Sequence, residues 1–101
     1  METYPSICIP RADIIESIEV KNTLEKIFGR STIDRIDIVP CKNVPEYCKI
    51  FIHMKYWPED NINIINLRTT LINGNCVNIV YKNYSFWKCF MSRLPKPNQN
   101  K

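Results

Sequence analysis

The alternation of apolar and polar side chains predicts four β-strands. In the clearest of them, Ile50, Ile52 and Met54 share one face and Lys49 and Phe51 share the other, because successive strand residues point to opposite sides of a sheet. Such a strand buries its isoleucine face and leaves the opposite face open. Strands are predicted over 6–10, 32–39, 48–56 and 75–82.

Two other segments have the spacing of amphipathic helices. Apolar residues recur at helical intervals over 18–28, and a glycine follows as a stop signal. The preceding stretch, 11–17, is predicted to be either a loop or an early helical turn. A second helix is predicted between Pro58 and the Asn73-Gly74 turn signal.

The C-terminal part of the chain is rich in large side chains. Residues 85–93 bring Phe86, Trp87 and Phe90 close together. Three hypotheses stay open for this segment: a fifth strand on the core, a nucleic-acid contact or a protein contact, since rings interleaved with cations suit both kinds of partner. Residues 94–101 contain two prolines and two asparagines and are predicted to form a flexible tail. This leaves 1–93 as a single domain.

The predicted order β-α-β-β-α-β is that of the ferredoxin-like, split βαβ arrangement. We therefore expect an α+β fold in which four antiparallel strands carry two helices on one face, followed by an aromatic C-terminal extension. The helices would cover the isoleucine side, and the other face would stay open to solvent or a ligand. That open face is expected to carry Cys8, Arg35, Asp37, Lys49, Phe51, His53, Asn78 and Val80.

Over about residues 5–82 the chain resembles the RNA-recognition motif. The first helix ends in Phe28-Gly29, and the second strand has the spacing Ile33-x-x-Ile36-x-Ile38. The third strand places Lys49-Ile50-Phe51-Ile52-His53-Met54 where the longer motif of that family lies, so that Phe51 matches its second aromatic position. The resemblance implies a sheet that stacks RNA bases on its open face. The other two rings and both glycines of the motifs are replaced, by Lys49, Cys8, Cys48 and Ile50.

A narrower resemblance is to a small uncharacterised family of nucleocytoplasmic large DNA viruses, the giant viruses. It rests on three strings: Ile-Asp-Arg-Ile-Asp-Ile-Val from Ile33, Ile-Phe-Ile-His-Met-Lys-Tyr-Trp from Ile50, and Phe-Trp-Lys-Cys from Phe86 with a following Ser-Arg. Isoleucine, asparagine and lysine, which have A/T-rich codons, are abundant, and this suits an AT-rich genome. The resemblance implies a virus-encoded protein in the host cytoplasm or the virion, and it implies no particular activity.

Composition narrows the possible functions. A chain of 101 residues, 45% of them apolar, makes one domain and is too short for an enzyme with an interdomain cleft. No apolar run approaches the ~20 residues that span a bilayer, and no signal peptide is visible. The net charge is +4, and the last fifth of the chain has five basic residues and no acidic one. This surplus favours phosphates or an acidic partner.

Metal, disulfide and catalytic chemistry are poorly supported. Five cysteines are an odd number without metal-site spacing, so we expect reduced thiols, no metal and no cofactor. His53 has no carboxylate beside it at helix or strand spacing, and the two glycines form no phosphate-binding loop. We therefore expect no catalytic residue and no enzymatic activity.

Phe51 is the strongest candidate for a binding residue. An exposed ring offers a base a stacking surface, and cations on either side hold phosphates. The alternative is that the C-terminal segment covers Phe51, because its rings also need a place to be buried. The candidate nucleic-acid-binding residues are Lys49, Phe51, His53, Lys55, Lys82, Trp87, Lys88 and Arg93.

The sequence thus predicts a small non-enzymatic protein that binds nucleic acid, RNA in preference to DNA. Binding would use the open sheet face and the basic aromatic C-terminal segment. The alternative is a protein–protein interaction module, or a homodimer, that uses a sheet face from which the stacking rings have been lost. The basic C-terminal fifth favours the first hypothesis, and the missing rings favour the second.

Overall fold

The computed structural model describes residues 2–93, and the predicted tail lies outside them. The described residues form an α+β fold with one five-stranded antiparallel sheet and two α-helices. In chain order the elements are β1 (Ile7–Asp13), a 3₁₀ turn (Glu16–Glu19), α1 (Val20–Phe28), β2 (Ile33–Pro40), β3 (Tyr47–Met54), α2 (Ile62–Ile72), β4 (Val77–Lys82) and β5 (Ser85–Met91).

The sheet has the strand order β2-β3-β1-β5-β4, and every pair of neighbours is antiparallel. The prediction of four strands is wrong in number, because the C-terminal segment is a strand of the sheet rather than an extension of it. β5 pairs with β1 on one side and with β4 on the other, and the two-residue turn Asn83-Tyr84 joins β4 to β5. Of the hypotheses for residues 85–93, the fifth strand is confirmed.

Local hydrogen bonds explain where the helices begin. β1 ends at Asp13, whose carboxylate accepts from the backbone N–H groups of Ile15 and Glu16 and so starts the 3₁₀ turn. The stretch 11–17 is therefore part strand and part helical turn. Asn61 is the N-cap of α2, because its side-chain oxygen accepts from the backbone N–H of Asn63. Gly29 ends α1 with φ 111°, a conformation that favours glycine.

The core lies between the sheet and the helices. Alternate residues of the central strands are buried in it, and both helices add apolar side chains to the same cluster. The opposite face of the sheet has no helix over it among residues 2–93. Neither α-helix of this part of the chain is long and apolar enough to cross a membrane. The core residues include Ile7, Ile9, Ile50, Ile52, Trp87 and Cys89 from the sheet and Val20, Leu24, Phe28, Ile64 and Leu71 from the helices.

Candidate functional site

The helix-free face of the sheet presents three phenylalanine rings. Phe51 in β3 and Phe90 in β5 both pair with Cys8 in β1, so the three residues form one row across the sheet. Two strand spacings separate the backbones of Phe51 and Phe90, roughly 10 Å. Phe86 lies further along β5 on the same face and is 51% exposed, whereas Phe51 and Phe90 are half-buried.

Two lysines lie among these rings. Lys49 precedes Phe51 by two positions in β3, and Lys88 lies between Phe86 and Phe90 along the same side of β5. Both lysines are exposed. We call the surface formed by Lys49, Phe51, Phe86, Lys88 and Phe90 the aromatic face. It offers flat apolar surfaces next to positive charges, the combination that single-stranded nucleic acids require for stacking and phosphate contact.

Phe51 is not covered by the strand that follows β4. Residues 85–91 lie in the plane of the sheet as β5, two strands away from β3, and do not fold over its face. The hypothesis that this segment covers Phe51 is therefore wrong. Successive residues of β5 point to opposite sides of the sheet. Trp87 therefore points into the core, whereas Phe86 and Phe90 point to the aromatic face.

Trp87 is therefore removed from the predicted binding residues. Its side chain is 2% exposed, and its indole stacks on the ring of Tyr81 with centroids 3.9 Å apart and planes at 11°. A nucleotide cannot reach this ring while the core is intact. Trp87 is a structural residue, and the neighbouring Phe86 has the exposure that was expected of Trp87.

His53 is also removed, because it is 2% exposed and part of a chain of polar groups. Its Nδ1 lies 2.7 Å from the Ser6 hydroxyl, and its Nε2 lies 3.4 Å from Oδ2 of Asp37. Asp37 in turn accepts a hydrogen bond from Nε of Arg35 at 2.7 Å. Sequence spacing offers His53 no carboxylate, and the carboxylate that lies near it, that of Asp37, comes from the neighbouring strand β2.

The other predicted cations lie at or just beyond the C-terminal ends of strands. Lys55 directly follows β3 and is exposed, and Arg93 follows β5 and is exposed. Lys82, at the end of β4, forms an ion pair with Glu16. Its hydrogen bond to the Glu16 carboxylate raises the pKa of Lys82, and hydrogen bonds from Lys82 and Tyr81 lower the pKa of Glu16. The charge of Lys82 is therefore partly neutralised, and Lys49 and Lys88 remain the cations beside the rings.

Two of the five cysteines, Cys48 and Cys89, are buried, whereas Cys76 is exposed. All five of those described are free thiols, and burial raises the pKa of Cys8, Cys48 and Cys89, in the last case to about 12. A raised pKa leaves little thiolate, the reactive form, at neutral pH. Within residues 2–93 no three His, Cys, Asp or Glu side chains come close enough to hold a metal ion.

Phe86 and Phe90 are not among the binding residues predicted from the sequence, although both lie within the aromatic C-terminal segment. The signal that identifies them is the strand alternation of 85–91, in which every second residue from Phe86 faces away from Trp87. Two adjacent large rings obscured this pattern, because either of them could have been the buried one. The structure brings the two rings to the same face as Phe51.

Comparison of the chain with protein-family models, with curated proteins and with solved structures found no match.

Proposed function

We propose that the protein binds single-stranded nucleic acid, RNA in preference to DNA, on its aromatic face. The observation that carries this proposal is the placement of Phe51, Phe86 and Phe90 on one open face with Lys49 and Lys88 beside them. A ring stacks on any base, at about 1–3 kcal/mol per base, and lysines neutralise the phosphates. The net charge of +4 favours the same class of ligand.

The proposed similarity of this sheet to that of the RNA-recognition motif supports RNA over DNA as the ligand. The four strands β2-β3-β1-β5 have the order of a ferredoxin-like sheet of the RNA-recognition-motif type, with β5 in the place of its last strand. In this comparison β4 is an additional strand at the edge of the sheet. Such sheets take single-stranded RNA on the helix-free face. The proposal includes the giant-virus origin and the cytoplasmic site of action that the sequence resemblance implies.

One observation favours the alternative, a protein-interaction module. Val80 and Phe86 pair across β4 and β5 at the sheet edge and are 61% and 51% exposed. Neighbouring exposed apolar side chains are typical of protein contacts. Under this hypothesis the edge docks a protein or a second copy, and oligonucleotides bind no better than a weak electrostatic background.

The salt dependence of binding separates these two proposals. With about three to five phosphate contacts, log K for a short uridine oligoribonucleotide should fall against log salt with a slope of roughly −2 to −5. Lys88→Ala should reduce the slope by about one, whereas Lys26→Ala, an exposed lysine of α1, should leave it unchanged. Fluorescence anisotropy at several salt concentrations measures this. If the anisotropy of the oligonucleotide does not change on addition of folded protein, the nucleic-acid proposal is wrong.

We also propose that the protein is not an enzyme, although Ser6, His53 and Asp37 follow the hydroxyl–imidazole–carboxylate order of serine hydrolases. The imidazole between Ser6 and Asp37 is only 2% exposed, so a substrate's leaving group cannot come within reach of it to receive a proton. We expect no Ser6 labelling by a fluorophosphonate probe and no ester hydrolysis above the buffer rate. Labelling that disappears in both Ser6→Ala and His53→Ala would contradict this.

A further inference from the structure

The aromatic face has a carboxylate beside one of its rings. Asp37 in β2 pairs directly with Phe51 in β3, and both residues lie on the helix-free side. Directly opposed residues of an antiparallel pair have Cβ atoms about 4.5–5.5 Å apart. A base stacked on Phe51 would therefore have its edge within reach of the Asp37 carboxylate.

Two neighbours hold that carboxylate in a fixed orientation. Arg35 Nε donates to Oδ1 at 2.7 Å, and His53 Nε2 lies 3.4 Å from Oδ2. A carboxylate has roughly four acceptor positions, so both oxygens keep the capacity to accept another hydrogen bond. The side chain of Asp37 is 26% exposed and that of Arg35 is 39% exposed, so both groups are open to a ligand.

We propose that Asp37 makes the aromatic face select guanine at the Phe51 position, an inference that rests on the proposed nucleic-acid binding. Guanine presents two adjacent donors, N1–H and N2–H, which match the two carboxylate oxygens as a bidentate pair. Its O6 lies next to them, where the terminal N–H groups of Arg35 supply a donor of the right kind.

The other three bases fit this carboxylate poorly. Adenine and cytosine offer one amino donor beside an unprotonated ring nitrogen, whose lone pair would face the negative oxygen of Asp37. Uracil offers a single N–H between two carbonyl oxygens, which a carboxylate repels. An acceptor-only group such as Asp37 therefore discriminates by rejecting three bases as well as by pairing with one.

The test compares oligoribonucleotides that differ at one base. A short uridine strand carries guanine, adenine, cytosine, uracil or inosine at its centre, and a single guanine avoids self-association of the probe. Fluorescence anisotropy should show the guanine strand binding wild-type protein about tenfold more tightly than the adenine, cytosine and uracil strands. Inosine lacks the N2 amino group and should lose most of that advantage.

Asp37→Asn should bring the four standard strands to within about two- to threefold of one another, because the guanine strand loses its bidentate partner and its advantage. Asp60→Asn makes the same chemical change at an exposed residue outside the sheet and should keep the preference. Equal binding of all bases by wild type would overturn the guanine inference alone, and so would a preference that persists in Asp37→Asn. The inosine comparison needs no variant, so it tests recognition of the guanine N2 amino group even if Asp37→Asn misfolds. Equal binding of the inosine and guanine strands would overturn the guanine inference. Absence of binding to every strand would overturn the proposed function as well.

Discussion

Replacing Trp87 by alanine is expected to lower the free energy of unfolding by about 3–5 kcal/mol, because a large buried ring leaves a cavity that the core cannot fill. Trp87 is 2% exposed, stacks on Tyr81 and is part of the main core cluster. A loss of this size is a large part of the roughly 5–15 kcal/mol that stabilises a typical domain. Urea denaturation followed by circular dichroism measures it.

Phe86→Ala provides a matched control for Trp87→Ala. It removes an aromatic ring from the adjacent position of β5, but this ring is 51% exposed, so the expected loss is no more than about 1 kcal/mol. Equal losses in the two variants would mean that Trp87 and Phe86 do not differ in burial and so do not lie on opposite faces of β5. The placement of the rings on the aromatic face would then also be wrong.

Replacing Phe51 by alanine is expected to weaken the binding of a short uridine strand by about 1–3 kcal/mol, which is roughly 5- to 150-fold, since each stacked base contributes an amount of this size. Phe90→Ala should have a similar effect, because its ring occupies the same row on the other side of β1. The double variant should bind more weakly than either single variant. Anisotropy titrations in low salt measure all three affinities.

Tyr84→Ala is the control for these ring deletions. Tyr84 is 98% exposed and lies in the turn between β4 and β5, away from the row of Phe51 and Phe90. Its removal should leave affinity within about twofold of wild type, and thermal unfolding should show that each variant is folded. Wild-type affinity in folded Phe51→Ala, or an equal loss in Tyr84→Ala, would place the binding surface elsewhere.

Much of the fold could be predicted because the pattern over β1, β2, β3 and both helices is regular. Isoleucines at every second position identified the strands, and their observed bounds differ from the predicted ones by a few residues at most. The hairpin formed by β4 and β5 was harder, because its turn, Asn83-Tyr84, lacks the glycine that usually marks a two-residue turn. Without that signal, Ser85–Met91 could equally have been an appendage.

The polar contacts of the site could not be predicted, because they depend on which residues of two strands lie opposite each other. Asp37 approaches His53 and Phe51 only in the observed register of β2 and β3, and neither residue is close to Asp37 in sequence. Exposure was the second unpredictable quantity. Alternation assigned His53 correctly to the open face, yet contacts with Ser6 and Asp37 leave it buried there.

An amide NMR titration of the ¹⁵N-labelled chain with a short uridine oligoribonucleotide shows directly whether nucleic acid binds to the aromatic face. We expect the largest shift changes on the strands of the aromatic face, at Phe51, Phe90 and their neighbours Lys49 and Lys88, with little change in α1 and α2. Changes confined to the helices or to the outer edge of β4, or no changes at saturating oligonucleotide, would contradict this expectation.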